Sequence, residues 1–456
     1  ILNEAKYATD YILKAVRDNR TFYYQKGDGN MDHKVWCTST VKSAIPVQLG
    51  GEADGTRPIS KATGNVTAMA SQASAALAVM ARVYAKYDED YAAACLEKAK
   101  VACEFVENTP KGTTTAPQYP VSNIYIHDMV TMYAELYKTT KDSKYLKKAE
   151  ENCSWLNNRK EYNYNYSLCY DHREDLAAYN MASLGSESAY GEQALKVLKF
   201  YADTMYIPSS GYFLNKLPGS GWGGEPWGVL RFPANQAFVC ALYDKLTGED
   251  KLSQYIYTTV DYLMGRNGKN FSYIVGFGDN YPAYSHHRNL YRTDLNDLEK
   301  EQAKLPKVDK NYKFAQLGYL VGGSRNNGDY KDDINNYSGT EGGIDYNAGL
   351  VGALAYINSK VNPVNIDVAS PEVIASTLGC EISPNPVQDY LNIYFDEESA
   401  EKVTIEVIDM MGTVHVSEEV YGKSSHSINL EELSKGIYLV RVVSDGENYT
   451  KQIVKK

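Results

Sequence analysis

A mainly α-helical domain followed by a small all-β domain is the fold class that the sequence predicts. Over roughly the first three quarters of the 456-residue chain, apolar residues recur with the period of a helix. From Ile382 onward, apolar and polar residues alternate with the period of a strand. The helical segments lie approximately at 2–17, 62–87, 89–107, 123–140, 142–157, 173–183, 188–206, 233–246, 249–266 and 343–359.

The second and third helical segments differ as the inner and outer helices of a barrel differ. In residues 73–81, Ser74 is the only polar residue, as expected for a helix that is buried on every side. The stretch 91–107 keeps charged residues on one side, which is typical of an outer partner. Ten helices in such pairs predict an (α/α)6 barrel that lacks its first helices. The long loops 208–228 and 266–342 would form its rim at one end.

A β-sandwich is predicted for residues 381–456, after a linker at 361–380 and a helical domain at 1–360. Its strands fall at Leu391–Phe395, Val403–Ile408, Thr413–Ser417, Ser427–Leu430, Ile437–Val443 and Tyr449–Val454. A carbohydrate-binding or immunoglobulin-like module is the alternative interpretation of such a sandwich. The aromatic residues here are few and dispersed, so no flat binding stripe is evident.

Composition excludes several classes of partner. A formal net charge of −10 argues against nucleic acid, whose phosphates need a basic surface. A neutral polysaccharide makes no such demand, and the 40 tyrosines offer aromatic surfaces with polar tips. The seven cysteines are scattered without metal-type spacing, and their odd number argues against a full disulfide framework. No apolar run approaches the roughly 18 residues that a membrane span needs.

The run from Tyr330 to Ala348 places two carboxyl side chains, Asp332 and Glu341, on a loop rich in glycine and asparagine. Catalytic residues commonly sit on loops that rigid helices hold in place. A carboxyl group among aromatic rings is placed to have its pKa raised, as a general acid requires. Aromatic rings also suit sugars, which have apolar C–H faces. A solvated acidic loop is the alternative that this run alone leaves open.

A second run, from Ser272 to Arg288, reads Ser-Tyr-Ile-Val-Gly-Phe-Gly-Asp-Asn-Tyr-Pro-Ala-Tyr-Ser-His-His-Arg. Together the two runs resemble the paired signatures of glycoside hydrolase family 9, the cellulase family. Ser285 and Gly343 depart from the residues that are usual there, but neither departure removes a reacting group. Three further segments resemble the family in its own order across residues 1–358, namely Tyr24–Trp36, Trp227–Arg231 and Asp261–Asn267.

The resemblance implies an inverting endo-β-1,4-glucanase that acts on cellulose or a related β-glucan. Glu341 would be the general acid that protonates the glycosidic oxygen. Asp332 and His286 would hydrogen-bond sugar hydroxyls beside the scissile bond or position the acid. The sugar subsites would be formed by residues at the matching positions, with Tyr170 where a tryptophan is usual: His33, Trp36, Tyr170, Trp227, Arg231, Arg288 and Tyr346.

The general base of the family pattern does not occur in the 456 residues. The family takes this base from an Asp-Ala-Gly-Asp motif, which this sequence does not contain, and Asp28 and Asp32 align with other positions. We therefore expect either a sequence truncated at its N-terminus, which as given would hydrolyse glucan hardly at all, or a sugar-binding surface protein without a base. A hydrolase of the same fold that acts on xyloglucan, mixed-linkage glucan or glucosamine oligomers is a further alternative.

No cofactor is expected for the chemistry. Some relatives hold a structural calcium ion, for which the matching residues here are Asp128 and Asp175. His127 stands where an oxygen ligand is expected, and calcium prefers oxygen ligands. The sequence therefore favours the absence of a metal.

The C-terminal residues resemble the sorting domain of type IX secretion. The resemblance is carried by Ser-Pro-Asn-Pro from Ser383, Asp-Tyr-Leu from Asp389 and Lys-Gly-Ile-Tyr-Leu-Val from Lys435. It implies a secreted or cell-surface protein of a Bacteroidota-type bacterium. The implied partners are a β-glucan and the type IX secretion machinery.

Overall fold

The structure is a computed structural model. It describes residues 2–32, 42–47, 52, 57–114, 124–157, 167–204, 227–287, 317–324, 330–361, 380–395, 402–409, 414–422, 424–444 and 447–456. The chain divides into two compact units, Ile1–Pro363 and Val364–Lys456. The first unit is mainly helical and the second is built of strands, so the predicted fold class is confirmed.

Ten helices of two turns or more form the described part of the first unit. In chain order they are α1 Leu2–Ala15, α2 Thr67–Tyr84, α3 Glu89–Asn108, α4 Ile126–Thr140, α5 Ser143–Glu151, α6 Glu174–Ala182, α7 Gly191–Thr204, α8 Arg231–Thr247, α9 Ser253–Leu263 and α10 Ile344–Val361. The helical periodicity predicted all ten, and eight of them to within four residues at either end. The predicted segment 62–87 began five residues too early, and the segment 142–157 ended six residues too late. Two one-turn helices, Gly29–Asp32 and Tyr337–Thr340, lie in the loops.

Five of the helices form an inner row in which each contacts the next, and the other five pack against this row. The inner row is α2, α4, α6, α8 and α10. Helix α2 is rich in alanine and is buried around most of its circumference. Helix α3 buries only one stripe, which includes Ala92, Cys95 and Ala99, as an amphipathic outer helix does. This alternation is the arrangement of an (α/α)6 barrel.

Two glycines allow α10 to approach α8 closely. A Cβ atom at Gly349 would lie 2.1 Å from Oδ1 of Asn235, and one at Gly352 would lie 2.2 Å from the Phe238 ring. The backbone N–H of Gly349 donates to Oδ1 of Asn235 at 3.1 Å. Because the two helices pack so closely, their first residues come together at one end of the barrel.

Three of the strands were not predicted from the sequence. Strands β1 Phe22–Lys26 and β2 Ile59–Ala62 pair antiparallel in the first unit, and β3 Cys380–Ser383 opens the second. All three are short, and the pairing of β1 with β2 also joins residues that are distant in the chain. A run of four or five residues carries too little alternation to be recognised alone.

The second unit is a sandwich of two antiparallel sheets. The further strands are β4 Tyr390–Phe395, β5 Lys402–Asp409, β6 Val414–Tyr421, β7 Ser425–Asn429, β8 Gly436–Ser444 and β9 Glu447–Lys455. One sheet has the order β3-β4-β7 and the other the order β6-β5-β8-β9. Alternate residues such as Leu391, Ile393, Ile405 and Val407 are fully buried between the sheets. None of the helices in the described part of the chain has the length and apolar character that a membrane crossing requires.

Candidate active site

Glu341 is held at the end of the barrel by backbone hydrogen bonds on both sides. Its N–H donates to the carbonyl of Tyr337 at 3.0 Å, which closes the one-turn helix before it. Its own carbonyl accepts the N–H of Gly322 at 2.8 Å. Helix α10 begins three residues later. The Glu341 backbone is therefore tied to three parts of the barrel end, and its side chain is half-buried.

The indole of Trp227 donates a hydrogen bond from Nε1 to Oε2 of Glu341 at 2.7 Å. The Trp227 ring also lies against the Tyr337 ring, with centroids 5.1 Å apart and planes tilted by 32°. Gly228, at a φ of +62°, turns the chain after Trp227, and a Cβ atom there would lie 2.2 Å from the Tyr346 ring. The indole N–H thus fixes the direction of the carboxyl group. We call Glu341, Trp227, Tyr337 and His286 the Glu341 group.

The His286 ring also lies near the Tyr337 ring, with centroids 5.8 Å apart. Its Nδ1 is 2.8 Å from the carbonyl oxygen of Ile334. Because a carbonyl oxygen can only accept, Nδ1 carries the proton of this bond, and in a neutral ring Nε2 is then the acceptor nitrogen. Burial, with the charge of His286, lowers the pKa of the adjacent His287. The His287 ring lies near the Tyr319 ring instead, with centroids 6.2 Å apart.

Asp332 joins the two signature runs to each other. Its Oδ2 accepts the N–H of Ala283 at 2.8 Å, and its Oδ1 accepts the N–H of Tyr284 at 3.1 Å. Burial, with the Asp332 charge, raises the pKa of Tyr330, so this hydroxyl stays protonated and donates to Oδ1 at 3.5 Å. With both oxygens engaged by the loop ahead of His286, Asp332 is placed to position that loop.

Arg231, at the start of α8, reaches Asp345 at the start of α10. Its Nη1 lies 3.0 Å from Oδ2 of Asp345. The guanidinium carbon lies 5.4 Å from the ring centroid of Tyr170 and 5.3 Å from that of Tyr346. Such distances are within the range of cation–π attraction. Two tyrosines and an ion pair therefore line the barrel end next to Glu341.

A second cluster of charged residues contacts Tyr170 through Arg173, whose Nη1 donates a hydrogen bond to the Tyr170 carbonyl oxygen. We call Asp128, Arg173 and Asp175 the Asp128 group. Arg173 pairs with Asp128 through two hydrogen bonds, Nε to Oδ1 at 2.6 Å and Nη2 to Oδ2 at 3.1 Å. Asp175 is fully buried and accepts the N–H groups of Leu168 and Leu176 at 2.6 and 2.9 Å. Burial raises the pKa of Asp175 to about 7.

The donor set of the Asp128 group does not fit a calcium ion. Calcium requires six to eight oxygen ligands, whereas a guanidinium already occupies both oxygens of Asp128. The described residues contain no cluster of three or more His, Cys, Asp or Glu side chains that could hold a metal ion.

The structure brings together most of the described residues that the sequence proposed for the site. Trp227 contacts Glu341 directly, and His286 is connected to Trp227 by the Tyr337 ring that lies near both. Asp332 holds the loop that precedes His286. Tyr170, Arg231 and Tyr346 gather at the adjoining helix ends. His33, Trp36 and Arg288 lie outside the described residues.

Sequence reasoning assigned no role to Tyr337 or Asp345. Tyr337 is the ring that links Trp227 to His286, and Asp345 is the partner of Arg231. Tyr337 lies four residues before Glu341 and Asp345 four residues after it, and this closeness in sequence was the only sign that they belong to the site. Nothing local to the run, however, indicates which distant side chains they meet.

A helical barrel with a carboxylic acid held among aromatic rings at one end is an architecture of glycoside hydrolases. Residues 1–354 match the family described as glycosyl hydrolase family 9, and the chain belongs to this family. Residues 381–456 match a secretion system C-terminal sorting domain. Both resemblances drawn from the motifs are therefore confirmed, including the type IX assignment.

Two curated relatives are bacterial endoglucanases. Endoglucanase 4 of Bacillus sp. strain KSM-522 is 30% identical over 364 residues, which cover 77% of this chain and 54% of that protein. Endoglucanase A of Bacillus pumilus is 29% identical, with coverage of 78% and 52%. The chain thus spans about half the length of these two relatives.

Solved structures of a cellulase and of an endoglucanase are similar to this chain. The cellulase Cel9M of C. cellulolyticum in complex with cellobiose has a TM-score of 0.64 at 30% identity, covering 79% of this chain and 78% of that one. Endoglucanase CelQ of Clostridium thermocellum, complexed with cellotriose, has a TM-score of 0.62 at 26% identity, with coverage of 89% and 66%.

Proposed function

We propose that this protein hydrolyses β-1,4-glucosidic bonds in cellulose or a related β-glucan, with Glu341 as the general acid. The observation that carries the proposal is the hydrogen bond from Trp227 Nε1 to Glu341 Oε2. This bond gives the carboxyl group a fixed direction beside the rings of Trp227 and Tyr337. The names of the relatives, endoglucanases and a cellulase with bound cellobiose, support a β-glucan as the substrate.

The reaction needs two groups on opposite faces of the sugar ring. Glu341 gives its proton to the glycosidic oxygen as the bond to C1 breaks. A base on the other face takes a proton from water, and that water adds to C1 with inversion of configuration. In inverting enzymes the two carboxyl groups stand about 6.5–9.5 Å apart, which leaves room for the water. The sequence contains no Asp-Ala-Gly-Asp motif, so Asp28 and Asp32 are the first carboxylates to test for the role of base.

The remaining side chains of the site would bind and orient the glucan. The Trp227 and Tyr337 rings lie directly beside the acid and suit the apolar face of a sugar at the scissile bond. Arg231 and Asp345 offer hydrogen bonds to hydroxyls, between the rings of Tyr170 and Tyr346. These features suit a β-glucan backbone. The alternatives to cellulose are xyloglucan, mixed-linkage glucan and glucosamine oligomers. Comparing the rates at which the protein hydrolyses them would identify the substrate.

The direct test is the substitution Glu341→Gln, which keeps the size of the side chain and removes the proton. Turnover of carboxymethylcellulose should fall by about 10²–10⁴-fold, the usual cost of losing a general acid. Glu192→Gln, at an exposed position in the first turn of α7, is the matched control and should leave turnover unchanged.

Two outcomes would redirect the proposal. Near-normal turnover by Glu341→Gln would mean that another carboxyl group is the acid. Binding of cello-oligosaccharides without hydrolysis by the unsubstituted chain, at every pH, would favour the sugar-binding protein that lacks a base. If hydrolysis occurs, the anomer released first, followed by NMR, separates inversion from retention.

We propose that the protein works outside the cell or on its surface, delivered by the type IX secretion machinery of a Bacteroidota-type bacterium. The match of residues 381–456 to a sorting domain supports this location. A polymer such as cellulose cannot enter a cell, so its hydrolase must be exported. Deletion of these residues should leave the protein inside the cell, as fractionation of an expressing strain would detect.

A further inference from the structure

The outer face of the three-stranded sheet β3-β4-β7 carries two exposed tyrosines on one strand. Along β4, Leu391 and Ile393 point into the sandwich core and are fully buried. Tyr390 and Tyr394 point the other way and are 56% and 46% exposed. Residues four apart in a strand lie on the same face, roughly 13 Å apart along it. The sheet therefore displays two separated aromatic rings to solvent.

Small polar residues surround these rings. By strand register, Tyr390 stands opposite Asn429, Tyr394 opposite Ser425, and Asn392 between Ser383 and Ser427. Glu381, opposite Tyr394 on β3, is the charged residue that the register places on this face in the described strands. We call this surface, made by β3, β4 and β7, the tyrosine face.

The outer face of the other sheet has a different character. There Lys402 pairs with Glu419 at 2.6 Å, and Arg441 pairs with Glu406. Such salt bridges are the ordinary covering of a solvated sheet. The same small domain thus has one charged face and one nearly uncharged face with aromatic rings.

From this contrast we infer that the tyrosine face binds a neutral β-glucan chain. The rings offer flat surfaces for the C–H faces of sugars, and the amide and hydroxyl side chains offer donors and acceptors for sugar hydroxyls. An anionic ligand would need cations, which the described strands do not place on this face. A neutral polymer suits the tyrosine face because that face carries almost no charge. The choice of a β-glucan, among neutral polymers, rests on the proposed function of the helical unit.

The spacing of the rings determines which ligands bind well. A span of roughly 13 Å between Tyr390 and Tyr394 exceeds a single sugar ring, so both tyrosines can be engaged only by an oligomer or a polymer. Cellohexaose and insoluble cellulose should bind, whereas glucose should not. The site would hold the enzyme on its polymer without taking part in cleavage.

The test uses the full chain carrying Glu341→Gln, so that the probe is not consumed. Binding to microcrystalline cellulose is measured by depletion, and binding to cellohexaose by calorimetry. Tyr390→Ala combined with Tyr394→Ala should weaken binding to cellulose about tenfold, the effect of losing two stacking contacts. Tyr390→Phe combined with Tyr394→Phe keeps the rings and should retain most of the binding, which also controls for folding.

Tyr421→Ala is the matched control, because Tyr421 is 59% exposed on β6 beside the Lys402–Glu419 pair of the charged face. It should bind cellulose like the parent chain. An unchanged isotherm for the double alanine variant, or an equal loss in Tyr421→Ala, would overturn the inference. If the double alanine variant bound cellulose normally but was no longer exported, the tyrosine face would be assigned to the secretion machinery, which would also overturn the inference.

Binding and cleavage are read out separately. In a chain that retains Glu341, the double alanine variant should hydrolyse soluble cellotetraose at the parental rate. If Glu341 proves not to be the acid, the cellulose-binding difference between the alanine and phenylalanine variants is still measurable.

Discussion

The Glu341 group and the Asp128 group both centre on a carboxyl group in the helical unit, yet they hold it in different ways. Asp128 is 2% exposed and bonded twice to the guanidinium of Arg173. Glu341 is half-buried, and the donor seen on its Oε2 is the neutral indole N–H of Trp227.

Burial and bonding partner together determine what a carboxyl group can do. A buried carboxylate paired with a cation is held in its ionised form, because losing the charge would leave the cation uncompensated. A carboxyl group oriented by a neutral donor at a partly exposed position can change its protonation state during a reaction. On these grounds we expect the Asp128 group to support the structure, whereas the Glu341 group is the one that we propose to react.

The largest effect on folding is expected from Arg173→Ala. This change leaves the buried Asp128 without its cation and should lower the free energy of unfolding by about 3–5 kcal/mol. Urea denaturation, followed by circular dichroism, measures it. Arg266→Ala is the matched control, since Arg266 pairs with Asp261 in an exposed ion pair worth about 0–1 kcal/mol. Equal losses in the two variants would remove the distinction between the groups.

A pH-dependent effect on stability is expected from Asp175. Its folded pKa of about 7 lies above its ordinary value of 3.8, so the folded state binds this proton more tightly than the unfolded chain does. The stability that this proton supplies is complete below about pH 4 and is lost as the pH rises towards 7, at up to about 1.4 kcal/mol per unit. Asp175→Asn should remove this component.

The measurement is the difference between parent and Asp175→Asn in the free energy of unfolding, taken from pH 4 to 8. The difference is required because His127 and His172 act in the opposite sense. Burial lowers their pKa values to about 4 and about 3, so they favour the folded state as the pH rises towards their ordinary value of 6.5. A difference that does not vary with pH would contradict the role given to Asp175.

The smallest of these effects is expected from Trp227→Phe, which keeps an aromatic ring and removes the N–H. A hydrogen bond to a carboxylate favours its ionised form, and its loss is worth about 1.5–3 kcal/mol. The basic limb of the kcat/KM profile should therefore move to higher pH by about one to two units, while the maximal rate falls. A profile that superimposes on that of the parent would show that the indole N–H does not tune the acid.

Much of the fold was predictable from the sequence, because helices and amphipathic strands leave periodic signals in neighbouring residues. The long helices were found to within a few residues. Strand β3 was missed, since Ile382 alone among its four residues is buried. The pairing of β1 with β2 was missed because it joins residues more than thirty positions apart. The elements that were predicted are long and have a periodic pattern in neighbouring residues. Those that were missed are short or depend on pairing with a distant strand.

The site was predictable in its residue types and less so in its contacts. Motif spacing singled out Glu341, Asp332 and His286. It did not indicate that Asp332 would use both oxygens on the backbone of Ala283 and Tyr284. The pairing of Asp345 with Arg231 was equally hidden, because it exists only where two helix ends meet.

The fold class, the family and the carboxyl group that we propose as the acid all follow from periodicity and motif spacing, which are properties of neighbouring residues. The tertiary structure decided which groups surround that carboxyl. Trp227 and Glu341 are 114 residues apart, and Arg173 and Asp128 are 45 apart. Such pairs form only when packed helices bring distant loops together, and the tyrosine face likewise appears only once β3, β4 and β7 pair in register.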